Sequence, residues 1–186
     1  MTANLPDNDL LTPLLRQKWE RLVEMAKGNH VSRVRESIAE IRHDSEQVEG
    51  VIHSPPGYPV LQMAARHGSI EAMQCLIELG MDVNDKTAFD MTPLHYAANV
   101  LEIEAMELLL KNGADVNAIH WRPGGYRQYF TPLDLINRFE KNYKRGCTTD
   151  LDDNEILVFA DIERIKDVLY NAGAKTAEEL QPEQQE

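Results

Sequence analysis

Two stretches of this 186-residue chain are near copies of each other. LQMAARHGSIEAMQCLIELGMDVN (61–84) and LHYAANVLEIEAMELLLKNGADVN (94–117) align without a gap at an offset of 33 residues, and 12 of the 24 positions are identical. A period near 33 constrains the fold more than any single element does. Units that short cannot bury their apolar faces alone, so they must stack into a solenoid.

Each unit has a physical reading. In TPLHYAAN, Thr92 is placed to cap a helix and Pro93 to open it, where a missing N–H costs nothing. Leu94, Ala97 and Ala98 form an apolar stripe whose alanines let a neighbouring helix come close. EIEAMELLLKN sets Ile103, Met106, Leu109 and Leu110 at helical spacing, and Gly113 predicts a left-handed stop.

Weaker copies flank these two. FTPLDLINRF restarts the pattern at Thr131, 39 residues after Thr92, so six surplus residues fall in HWRPGGYRQYF (120–130). IERIKDVLYNAGAK puts Gly173 60 residues after Gly113, which predicts a 21-residue insertion at about 140–160. At the front, MAKGNHVSRVRESI matches AARHGSIEAMQCLI, with Asn29 for the usual glycine. Leu15, Trp19, Leu22, Val23 and Ala26 share one helix face, expected to cap the stack; the alternative is that Trp19 docks a partner. The expected organisation is a flexible 1–11, one domain over 12–175 with units at about 12–50, 57–84, 90–117 and 130–175, and a polar tail, 176–186.

TPLHYAANVLEIEAMELLLKNGADVNA closely resembles the ankyrin repeat. About four repeats are recognisable, two close to consensus and the first and last degenerate. The resemblance implies an all-α solenoid of antiparallel helix pairs with protruding β-hairpin-like loops. It implies that His95 hydrogen-bonds within its own turn, to Thr92, and that Asp134 takes over part of that role in the last unit. It also implies a protein-binding surface made of loop tips and the exposed sides of the first helices. Carried over by position, the partner-binding candidates are Arg66, His67 and Asn99 on first helices. Lys86, Phe89 and Met91 are the candidates in one loop, and Trp121, Arg122, Tyr126, Arg127 and Tyr129 in the long one. Phe130 is expected to fold back on the stack. Leu101 and Asp90 stand where the family has glycine, which puts the backbone at both places in question.

Catalytic signals are missing. There is no P-loop, GxGxxG, GxSxG or HExxH, so no catalytic residue is expected, and no metal or other cofactor. The histidines have no ligand spacing with Cys75 or Cys147. Cys75 falls at a core position; Cys147 falls in the insertion, where DLDDNE reads as a solvated acidic loop. The net charge of -12 argues against nucleic acid and anionic lipid and is compatible with a basic protein partner. Without a signal segment, a long apolar run or a disulfide framework, a cytoplasmic location is expected; alone, the protein is expected to be monomeric. The leading functional expectation is a non-enzymatic binding module that neutralises or inhibits a basic partner, as an immunity protein or antitoxin does. The alternative is an adaptor, regulatory or effector protein that recruits a signalling partner.

Overall fold

The computed structural model of the chain describes residues 13–44, 59–122, 128–146 and 153–180. Their helices come in pairs: α1 (Pro13–Lys27) with α2 (Val31–Asp44), and α3 (Val60–Arg66) with α4 (Ile70–Glu78). Next come α5 (Pro93–Ala98) with α6 (Ile103–Lys111), then α7 (Pro132–Gly146) with α8 (Asp153–Asn171) and a final turn, α9 (Ala177–Leu180). Two short strands, β1 (His120–Arg122) and β2 (Gln128–Phe130), make an antiparallel ribbon between α6 and α7. First helices stack α1 on α3, α3 on α5 and α5 on α7; second helices stack α2 on α4 and α4 on α6. Leu61, Leu94 and Leu133, one from each of three first helices, are fully buried in the resulting core, with Ala64, Ala65, Ala97 and Ala98 at the close approaches. Trp19 is buried too, which supports the capping reading of α1 over partner docking.

Side chains at one repeated position staple each unit to the next segment of chain. His95 receives the Thr92 backbone N–H on Nδ1 at 3.2 Å, so its Nε2–H donates to the Phe130 carbonyl at 3.2 Å. Gln62, its counterpart one unit earlier, donates from Nε2 to the Asp85 carbonyl at 2.9 Å. Asp134, its counterpart one unit later, accepts from the Thr131 N–H at 2.9 Å and from the Ala177 N–H at 2.8 Å. The Asp-Val-Asn triplets work alike. The Asn84 side chain donates to the Gly113 carbonyl at 3.1 Å and accepts from the Asp115 N–H at 2.7 Å. Asn117 repeats both bonds, to the Gly173 carbonyl and from the Lys175 N–H. Gly173 is therefore the structural counterpart of Gly113 despite the long spacing.

The turn backbone is imposed by the unit rather than by the residue. Asn29, Gly68 and Leu101 occupy one position in three units, with φ of 56°, 59° and 62°, and Asp90 sits at 59°. Both family glycine positions thus keep a left-handed backbone although Leu101 and Asp90 fill them. For a leucine this costs roughly 1–2 kcal/mol, offset by its packing against the core. Gly68→Ala is expected to destabilise by about 1 kcal/mol. The added Cβ would also lie 2.6 Å from a Glu102 carboxylate oxygen, but that side chain can swing aside. An unchanged urea midpoint for this variant would contradict the strain argument.

The end of the stretch that the sequence reads as a solvated acidic loop, Asp153–Glu155, is helical. α7 continues to Gly146 and α8 starts at Asp153, so much of the added chain lengthens both helices. Phe139 stacks on Tyr143 at 6.0 Å, and Tyr143 meets Phe159 edge-on at 5.4 Å, which gives the lengthened pair its own apolar contact. Glu140 takes hydrogen bonds from Lys144 and Lys166, which hold its carboxyl below the usual range. Asp153, Asn154 and Glu155 belong to α8; Cys147, Asp150 and Asp152 lie outside the described residues. In the tail, Thr176 and Glu179 form a reciprocal capping box that opens α9, the same turn begun once more.

Candidate functional site

The site is built around the ribbon. His120 pairs with Phe130 and Trp121 with Tyr129, and opposed residues of an antiparallel pair point to the same side while successive pairs alternate. One face therefore carries His120 and Phe130, the other Trp121 and Tyr129. The His120 ring stacks on Phe130 at 6.1 Å and meets His95 edge-on at 5.8 Å. The Nδ1 of His120 bonds the Phe89 carbonyl at 2.7 Å, tying the ribbon to the preceding loop. Phe130 thus folds back on the stack, as its place beside Thr131 suggests. Trp121, on the opposite face, is 41% exposed.

The His120–Phe130 face borders an open groove of about 410 Å³. Met91, Tyr96, Phe130 and Leu135, all half-buried, supply its apolar surface, and Phe89, more than half exposed, stands at its edge. Arg66, Asn99 and Arg138 line it as well, and the Arg138 guanidinium lies 5.6 Å over the Phe130 ring. Repetition made this groove. Arg66, Asn99 and Arg138 occupy one position in three successive first helices; Tyr96 and Leu135 share another, and Met91 and Phe130 a third.

The structure divides the sequence-derived candidates. Arg66, Phe89, Met91 and Asn99 come together in the groove. Trp121 and Tyr129 sit on the ribbon's far face. His67, at the end of α3, and Lys86, in the loop before α5, do not line the groove. Arg122 belongs to β1, while Tyr126 and Arg127 lie outside the described residues. Sequence reasoning missed Tyr96, His120, Leu135 and Arg138. The 33- and 39-residue offsets carry Arg66 to Asn99 to Arg138, so following them one unit further would have found Arg138; Tyr96 and Leu135 are equivalent to each other but to none of the sequence-derived candidates.

The electrostatics assign His95 a structural role. Burial, reinforced by the nearby His120 and Lys86 charges, pushes its pKa down to about 4, against the pull of the Phe130 and Ala118 carbonyls. It is uncharged at neutral pH, with both ring nitrogens committed. Cys75 is buried and its thiol is pushed up by that burial. Among the described residues no group of three His, Cys, Asp or Glu is placed to hold a metal ion, and no helix is long and apolar enough to cross a membrane.

The sequence model for ankyrin repeats (3 copies) matches residues 22–120, just over half of the chain. The chain belongs to the ankyrin-repeat family. No curated protein matches it. The ankyrin match ends at the first residue of β1, so the rest of the ribbon and the α7–α8 pair extend beyond it. Ankyrin repeats are protein–protein interaction modules, generally without catalytic activity, and this ankyrin protein has a protein partner.

Proposed function

We propose that this ankyrin protein neutralises or inhibits its partner by covering it, with the groove between the ribbon and helices α3, α5 and α7 as the docking surface. The observation that carries this reading is the concentration of Phe89, Met91, Tyr96, Phe130 and arginines in one open groove. Aromatic and arginine side chains dominate binding hot spots. The exposed Trp121 on the far face enlarges the surface that a partner wrapping the ribbon would meet. The partner's body is basic: the net charge of -12 would draw such a protein in at long range and speed its association. An immunity or antitoxin role fits this scheme.

Salt dependence tests the charge component. Affinity capture with mass spectrometry supplies the partner, and the association rate is expected to fall steeply between ~50 and ~500 mM salt. A rate indifferent to salt sinks the basic-partner part. The second reading, an adaptor or regulatory protein that recruits a signalling partner, is favoured if the captured protein keeps full activity in the complex.

A further inference from the structure

The charge of the groove is opposite to that of the chain. Asp and Glu outnumber Lys and Arg by 31 to 19 overall, yet the groove-lining residues include two arginines and no carboxylate. Elsewhere, three arginines are matched to acids: Arg35 bonds Glu78 at 3.1 Å, Arg164 bonds Glu107 at 3.3 Å, and Arg21 bonds Glu40; Arg42 bonds the Leu79 carbonyl and Arg33 the Met25 sulfur. Among the described residues, neither Arg66 nor Arg138 has a carboxylate partner. Lys86, on the loop that carries Phe89, adds to the local positive field, close enough to disfavour protonation of His95.

We infer that the groove takes an acidic peptide segment, with an aromatic or large aliphatic side chain against Met91, Tyr96, Phe130 and Leu135 and flanking carboxylates on Arg66 and Arg138. This rests on the groove being the docking surface and adds the chemistry of the segment that enters it. Three points support it. A volume of about 410 Å³ holds a few side chains of an inserted segment, not a folded body. Arginine's planar fork matches a carboxylate with two parallel hydrogen bonds, and the aromatic walls partly exclude the water that would weaken them. A basic segment would instead press like charge on both arginines. The whole-chain charge and the groove charge thus address different parts of the partner: a basic body and an acidic inserted segment.

Fluorescence polarisation with the full chain tests this. The probes are fluorescein-labelled nine-residue peptides with one central Trp, Phe or Leu flanked by glutamates, beside the same peptides flanked by glutamines or lysines. Glutamate-flanked peptides are expected to bind at least ~10-fold tighter than lysine-flanked ones. In R66E/R138E their affinity is expected to fall ~30-fold or more, while lysine-flanked peptides gain. Neither arginine belongs to the buried core, so the melting temperature is expected to hold; R66Q/R138Q, with no introduced acids, gives the same test if it does not.

Three results overturn the inference: equal or tighter binding of lysine-flanked peptides, indifference of glutamate-flanked peptides to both arginine pairs, or no glutamate-flanked binding up to ~1 mM. Tighter binding of a labelled oligonucleotide, lost in R66E/R138E, would reassign the arginines to phosphate and overturn it as well. Phe89→Ala separates the two claims. Peptide binding that needs Phe89 but ignores charge leaves the groove as docking surface and removes only its acidic preference; binding that needs neither removes both.

Discussion

Replacing His95 with alanine is expected to cost about 4 kcal/mol of folding stability at pH 7. The side chain is fully buried, and its loss strands the Thr92 N–H and the Phe130 carbonyl. Each stranded group costs roughly 1–3 kcal/mol, before the emptied volume is counted. Typical domains hold only ~5–15 kcal/mol in total, so urea unfolding will show a large shift. His95→Gln is expected to lose less, because Gln62 already serves at the equivalent position. A loss under ~1 kcal/mol for His95→Ala would mean that the staple is ornamental.

The same residue sets an acid response. Its folded pKa of about 4 lies below the ordinary value of 6.5, so the unfolded chain takes up the proton first. Stability is therefore complete above pH 6.5 and is lost as pH falls toward 4. Between pH 7 and 5 the loss is about 2 kcal/mol. The carboxyls of Glu71, Glu78, Glu140 and Glu179 are all shifted down, so they contribute only below that window. His95→Gln is expected to flatten the slope; an equally steep slope in that variant assigns it elsewhere.

Phe89→Ala with Trp121→Ala is expected to weaken the partner complex ~1,000-fold while leaving the fold unchanged. Both side chains are large and exposed, at 51% and 41%, so neither holds the core. They stand on different faces of the site, one at the groove and one across the ribbon, which makes their effects nearly additive at about 2 kcal/mol each. Titration calorimetry of the single variants reads the two faces separately. Loss confined to Phe89→Ala places the partner in the groove alone; loss confined to Trp121→Ala moves it to the far face. Full affinity in the folded double variant disposes of the proposed site.

Most of the stack is legible in the sequence because it is repeated. The 33-residue offset exposes the units and the Thr-Pro-Leu-His turn its cap, whereas the bridges made by the Asp-Val-Asn asparagines show only in the structure. The last unit is harder. A surplus measured against a template says how many residues are added, not whether they form a loop or lengthen a helix. Phe139, Tyr143 and Phe159 decide that by packing on one another, and only Phe139 and Tyr143 are neighbours on one helix. The groove is half legible. Arg66 and Asn99 follow from family position, but Tyr96 and Leu135 read locally as ordinary members of a buried helix. Trp121 and His120 differ by one residue, and only strand pairing shows that they face opposite ways.

The staple position has a consequence for how such a chain can change length. Gln62 and His95 each present a donor to a carbonyl, whereas Asp134 presents an acceptor to an N–H. The units are therefore not interchangeable bricks. Duplicating the last one would put Pro132, which has no N–H, where Asp134 takes the Ala177 N–H, and deleting the middle one would take the His95 donor from the Phe130 carbonyl. The order of the repeats is written into their polarity, as teeth are cut for one lock.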